Sequence, residues 1–320
     1  MKKTSHILIL LMIATCFLFT ACSSKKAIVY KSKKYRIGLY IPTSDDNFRN
    51  RIINAIKKDA QSLTDTDLVI VNAKGDPARQ KAQISNLVAQ KCNAIIVLPV
   101  DTEQSGDYTQ IAKDSGVPII SANTFLKNQN DAAAYVGSDS ITSGIMQAEY
   151  AAKQLNGNGN VVILKGEATH EAAIKRTEGI KQVLQNYPNI KIVAEENGDW
   201  KRTLGMQITE NWIKNSTKFD AVLANNDEMA IGAIMALKNH NLINNVFVGG
   251  VDATPDALKF LKEGSLKVTV FQNASGQGSE ALKAAYKLVK GEKIDKNIFV
   301  PYELVVPSDA DKYLKMQGTK

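Results

Sequence analysis

The chain reads as an α/β protein: two doubly wound, Rossmann-like lobes with parallel sheets, joined by a three-segment hinge. Three observations lead there. From Tyr35 onward short apolar runs alternate with amphipathic stretches, the rhythm of βαβ units. Runs such as Ala94-Ile95-Ile96-Val97-Leu98 are apolar throughout, as strands buried on both faces require, so the sheets should be mainly parallel. The strands so marked are too many for one comfortable open sheet in 320 residues, which divides them between two lobes.

Taken in order, the pattern predicts strands over 35–41, 68–73, 94–99, 117–122 and 134–137. Further strands are expected over 161–164, 190–195, 219–224, 246–251 and 266–271. Helices are expected over 47–63, 78–90, 141–155, 171–185, 203–214 and 274–289. The sharpest junction is Val222-Leu223-Ala224, cut by Asn225-Asn226-Asp227 and followed at once by a helical stretch from Met229 to Leu237. A strand there delivers its carboxyl end into a helix, the place where ligands bind in open α/β sheets. Its short polar side chains either cap the helix or reach a polar ligand. Gly157-Asn158-Gly159-Asn160 starts like a dinucleotide fingerprint but precedes a strand and lacks a third glycine, so it reads as a turn. No low-complexity linker divides the lobes. Candidate hinges are Gly137-Ser138-Asp139, Gln272-Asn273 and the stretch before Val300-Pro301-Tyr302. The expected lobes are 37–137 with 272–298, and 138–271 with 299–320.

The formal charge of +8 is local. Eight cations and no acid fall in residues 1–36, which leaves 32 cations against 32 anions in the body. A net-neutral body has no global field to hold nucleic acid. Residues 1–22 read as an export signal: Lys2-Lys3, an apolar core from Ile7 to Thr20, then Phe19-Thr20-Ala21-Cys22, which resembles a bacterial lipobox. Cys22 is the expected acylated residue, and 23–36 a polar basic tether able to lie against anionic headgroups. Cys16 leaves with the signal, so Cys92 stands alone. One thiol makes neither an internal disulfide nor a zinc cluster, and it reads as a small core residue.

Enzyme signatures are missing. Beyond the signal only His170 and His240 remain, and there is no nucleophile elbow, phosphate loop or zincin motif. Polar and aromatic residues instead collect at the expected carboxyl ends of strands: Asp46 and Phe48, Asn123, His170 with Arg176, Trp200, Asn226, Asp252 and Gln272. Each has an ordinary reading as a cap, a core ring or a solvated helix face. Together they describe a sugar site. Planar Asp, Asn, Gln and Arg groups satisfy a rim of hydroxyls, and Phe48 and Trp200 are placed to flatten against the two C–H faces.

The residues that carry a family resemblance are spread along the chain in order. They are Asp45-Asp46-Asn47-Phe48, Tyr135-Val136-Gly137-Ser138-Asp139, Leu164-Lys165-Gly166-Glu167, Ala224-Asn225-Asn226-Asp227-Glu228-Met229-Ala230 and Gly250-Val251-Asp252-Ala253. The stretch from Tyr35 to Tyr302 resembles bacterial sugar-binding proteins of the ribose/galactose type, the extracytoplasmic receptors of ABC importers. It is nearest in pattern to the glucose/galactose-binding members. That resemblance implies a type I periplasmic binding protein fold and places Asp46, Phe48, Asn123, His170, Arg176, Trp200, Asn226 and Asp252 on sugar-contacting positions. The chain departs from the galactose-type pattern at Ala172, where an aspartate stands in the family, with Glu171 beside it but projecting differently. It departs again at Gln272, which is closer to the ribose type. The calcium loop has no counterpart, since Asn156 to Asn160 carries no carboxylate, and neither metal nor cofactor is expected.

The resulting expectation is a lipid-anchored receptor on the outer side of the membrane, a monomer when apart from its partner. It closes around a monosaccharide and passes it to an ABC permease. In the alternative, the closed form engages a sensor kinase or chemoreceptor. A glycosidase would need a flanking carboxylate pair such as Asp46 and Asp252, and an enclosed monosaccharide site has no room for a leaving sugar. The sugar-responsive repressors of the same core fold carry a DNA-binding helix pair where this chain has its export signal.

Overall fold

The computed structural model describes residues 34–42 and 47–318. The export signal, Cys22 and most of the tether lie outside the described residues, as does Asp46.

The first sheet has six strands, β1 (Tyr35–Ile41), β2 (Thr66–Asn72), β3 (Ala94–Val97), β4 (Ile119–Ala122), β5 (Ala134–Gly137) and β11 (Asn297–Phe299). Their order is β11-β5-β4-β3-β1-β2, and every pair is parallel. Helix α1 (Asn47–Ala60) and helix α9 (Ala274–Val289) cover one face. There Ile52, Ile56, Ala281 and Ala285 meet Ile37, Leu39 and Ile96. Helices α2 (Pro77–Ala89) and α3 (Gly106–Asp114) cover the other, with Ile84, Leu87 and Tyr108 against Tyr40, Ile95 and Val97. Strand residues alternate between these two apolar layers, which is why the runs show no polar alternation. Cys92 is buried in the second layer.

The second sheet runs β7 (Asn189–Asn197), β6 (Asn158–Lys165), β8 (Ala221–Ala224), β9 (Phe247–Gly249), all parallel. Parallel bridges Gly249–Val268 and Asp252–Phe271 continue it toward β10 (Thr269–Gln272), which pairs antiparallel with β12 (Tyr302–Val305). Helices α4 (Ser140–Gln154) and α5 (Glu171–Leu184) line one face. Helices α6 (Arg202–Lys214), α7 (Asp227–Asn239), α8 (Pro255–Lys262) and α10 (Ala310–Met316) line the other. Helices α4 and α5 touch backbone to backbone: a Cβ on Gly144 would stand 2.0 Å from Arg176 O. Only glycine permits that approach, and it sets the depth at which Arg176 enters the site.

The chain therefore passes between the lobes three times, at Ser138-Asp139, at Asn273 and at Val300-Pro301. The last strand residues before the second and third crossings are Gln272 and Phe299. Gln272 pairs with Tyr302, and Phe299 pairs with Gly137. The 157–160 stretch is more strand than turn. Gly157 turns at φ +72°, but Asn158, Gly159 and Asn160 pair with Asn189, Ile190 and Lys191.

Candidate functional site

The carboxyl ends of both sheets face one another, and helices begin there with their amino ends toward the gap. Several caps are themselves expected site residues. His170 Nδ1 accepts from Ala172 N at 3.2 Å, opening α5. Asn226 Oδ1 accepts from Met229 N at 3.0 Å, opening α7. Such caps stabilise a helix by about 0.5–2 kcal/mol. Asn226 Nδ2 donates to Trp200 O at 3.2 Å. Capping therefore leaves this amide one further N–H to offer. Asn225 and Asp227 work inside the lobe. Asn225 Oδ1 accepts from Gly166 N and Thr177 Oγ1, and Asp227 accepts from Thr254 N and Thr269 Oγ1. Burial pushes the Asp227 carboxyl up to about 7.

Arg176 is the centre. Nη1 donates to Asn225 O at 2.6 Å and lies 3.6 Å from Asp252 Oδ1. Nη2 donates to Gln272 Oε1 at 2.9 Å and to Tyr302 Oη at 3.2 Å. Burial opposes the guanidinium charge, and the Tyr302 and Asp252 oxygens outweigh it, so its pKa rises. The guanidinium carbon lies 5.8 Å from the Trp200 ring centre, within reach of a cation–π attraction. His170 meets the same ring edge-on, with centroids 5.1 Å apart. Trp200 is seated by Gly166, where an added Cβ would fall 2.1 Å from the ring. Arg176 Nε and Trp200 Nε1 are buried with no hydrogen-bond partner among the described residues.

Backbone strain gathers here. Asn123 (φ +67°), Asp199 (+48°), Trp200 (+64°), Asp252 (+119°) and Ala253 (+50°) all have positive φ. Each such residue outside glycine costs about 1–3 kcal/mol and persists only where its surroundings hold it.

From the first lobe Arg49 Nη2 reaches His170 Nε2 at 3.1 Å, and Thr124 Oγ1 lies 3.4 Å from the same nitrogen. Asp101 accepts from Thr169 Oγ1 at 3.3 Å across the same gap. Phe48 is half-buried and packs on the first lobe's core; its neighbour Arg49 makes the crossing. Glu171, beside Ala172, accepts from Ser140 Oγ at 3.0 Å. Thus His170, Arg176, Trp200, Asn226, Asp252 and Gln272 form one connected cluster, and Asn123 joins through its neighbour Thr124. Sequence reasoning missed Arg49, Thr124 and Tyr302. Arg49, one place after Phe48 on the same first turn, carried the only readable signal.

Two lobes meeting at strand carboxyl ends around a buried polar cluster is the arrangement of a two-lobed solute-binding protein. The chain belongs to the periplasmic binding protein family: a periplasmic binding protein domain matches residues 37–293. Membership places it outside the cytoplasm. A putative rhizopine-binding protein of Rhizobium meliloti is 40% identical over 283 residues, 87% of this chain and 92% of its own. The ribose import binding protein of Haemophilus influenzae is 32% identical over 85% of this chain and 91% of its own. An ABC transporter solute-binding protein from Bacillus halodurans, solved with bound myo-inositol, aligns with a TM-score of 0.85 and 42% identity. That alignment covers 89% of this chain and 98% of the other.

Proposed function

We propose that this protein is an extracytoplasmic receptor for a sugar or cyclic polyol, with myo-inositol the ligand to test first. It closes around the ligand, is anchored through an acylated Cys22, and hands its cargo to an ABC importer. The observation that carries the reading is a pair of buried donors, Arg176 Nε and Trp200 Nε1, that find no partner among the described residues, with the Asp252 carboxylate 3.6 Å from Arg176 Nη1. Buried polar groups are nearly always satisfied, and a ring of hydroxyls supplies both donors and acceptors. Hydrogen bonds to the charged members are worth about 1.5–3 kcal/mol each once water is excluded. The relative with bound myo-inositol, at 42% identity, favours a ring with hydroxyls on every carbon. In this reading Asp46, Phe48, Asn123 and Arg49 meet the ligand from the first lobe. His170, Arg176, Trp200, Asn226, Asp252 and Gln272 meet it from the second, and the three crossings are the hinge.

A thermal-shift panel of pentoses, hexoses and inositols on residues 34–320 tests the reading. Ligand at about 100 times its Kd adds about 2.7 kcal/mol, a shift of several degrees. A rise with one sugar or cyclitol supports the receptor, and no shift with any of them overturns it. Palmitate labelling of the full chain, abolished by Cys22→Ala, tests the anchor.

A further inference from the structure

Asn123 leaves β4 in a left-handed conformation, and its amide is tied backward into the protein. Nδ2 donates to Gln277 Oε1 at 3.1 Å. Gln277 Nε2 donates to Ser138 Oγ at 2.9 Å, and Ser138 Oγ donates to Val300 O at 2.6 Å. Every atom on this path plays the role its chemistry allows: amide nitrogens give, carbonyl oxygens accept, and the hydroxyl does one of each. Gln277 is fully buried and Ser138 nearly so. The path also visits all three crossings. Ser138 stands in the first and Val300 in the third, while Gln277 N donates to Asn273 O, in the second, at 2.9 Å.

We infer that Gln277, on the first turn of α9 and outside the cleft, is a positioning residue that sets both ligand selectivity and hinge stiffness. The inference rests on the reading of the cleft as the ligand site. By taking Nδ2, Gln277 fixes the Asn123 amide with its oxygen on the Thr124 side. There Thr124 Oγ1 approaches Asn123 Oδ1 at 3.5 Å and His170 Nε2 at 3.4 Å. The cleft thus meets the ligand at this point with an acceptor, which selects a hydroxyl over a deoxy carbon. The same amide, through its other end, carries any displacement of Asn123 to Ser138 and Val300. A site asparagine and the hinge strands move as one body.

Gln277→Leu removes both halves of the relay, Ser138→Ala only the hinge half. Gln277→Glu keeps an acceptor for Asn123 Nδ2 and loses the donor to Ser138. Calorimetry with myo-inositol and its monodeoxy analogues reads selectivity, and amide hydrogen exchange at 137–139 and 299–301 reads the hinge. Gln277→Leu should bind at least tenfold more weakly, the worth of one or two buried hydrogen bonds. It should also lower the preference for inositol over the deoxy analogue that loses this hydroxyl, which general destabilisation does not do. Gln277→Glu should keep that preference while hinge exchange quickens. Ser138→Ala and Gln277→Leu should be less than additive in hinge exchange, because both remove the Gln277–Ser138 bond. Equal weakening toward every ligand, with unchanged hinge exchange, overturns the inference. If Gln277→Leu does not fold, the Gln277→Glu and Ser138→Ala results decide it alone. If wild type takes no polyol, the proposed ligand class fails, and exchange in the ligand-free protein still decides the hinge role.

Discussion

Arg49 Nη2 lies 3.1 Å from His170 Nε2, so a guanidinium of one lobe meets the helix cap of the other. The Ala172 amide calls for a bare Nδ1 and Arg49, which can only donate, calls for a bare Nε2; a neutral ring satisfies one of the two and a protonated ring neither. Burial first, then Arg49 and Arg176, hold the His170 pKa well below the usual histidine range.

A pH dependence of binding follows. With the lobes apart the ring titrates near about 6.5, while in the closed form it stays neutral. Closure is therefore at full strength above about pH 6.5. It weakens as the pH falls below that value, by up to about tenfold in affinity per pH unit, because the open form takes up a proton that the closed form does not. Asp227 runs the other way for global stability: its raised folded pKa, about 7, makes that contribution fall as the pH climbs toward 7. It sits within one lobe, so its titration is read in unfolding, while the pH profile of the ligand Kd reads groups that face the other lobe, His170 and Glu167 among them. His170→Gln should flatten that profile, and an unchanged slope would refute the assignment.

Arg176→Met and Arg176→Lys should both be severe. Removing one partner of a buried charged cluster costs about 3–5 kcal/mol, more than a hundredfold in Kd. A lysine offers neither the fork that reaches Asn225 and Gln272 together nor the plane that faces Trp200. Titration calorimetry should show binding lost or near its detection limit in both, with a lowered Tm in the ligand-free Arg176→Met protein, where the guanidinium charge beside Asp252 is gone.

Gly166→Ala places a methyl 2.1 Å from the Trp200 ring. The ring must move, at an overpacking cost of about 1–3 kcal/mol. Tryptophan fluorescence should then shift, and ligand affinity should fall with little change in far-ultraviolet circular dichroism. An unmoved emission maximum with full affinity would count against Trp200 as a site wall.

Cys92 is buried in the first lobe, and burial pushes its thiol up to about 11. The thiolate is the reactive species, so native residues 34–320 should resist alkylation at pH 8. Reaction should occur only through unfolding and slow further with bound ligand. Rapid stoichiometric labelling in the folded protein would contradict this.

The strand ends that build the cluster were legible in the sequence because strands buried on both faces announce themselves as unbroken apolar runs. Asn297-Ile298-Phe299 does not: Asn297 and Phe299 are exposed, no run forms, and β11 passes for loop. Asn123, Trp200 and Asp252 were legible as polar or aromatic punctuation after a strand, though their positive φ was not, since no side-chain pattern encodes it. Gln277 and Tyr302 were hidden for a different reason. Each lies in an ordinary helical or hinge context, and its role comes from contact with a residue more than a hundred positions away.

The receptor is expected to close its two lobes upon a hydroxyl-rich ring. Small-angle X-ray scattering from residues 34–320, titrated with myo-inositol, tests it most directly. The predicted result is a radius of gyration that falls along a saturable isotherm and does not fall in Arg176→Lys. Superimposable wild-type curves from zero to millimolar inositol would contradict it.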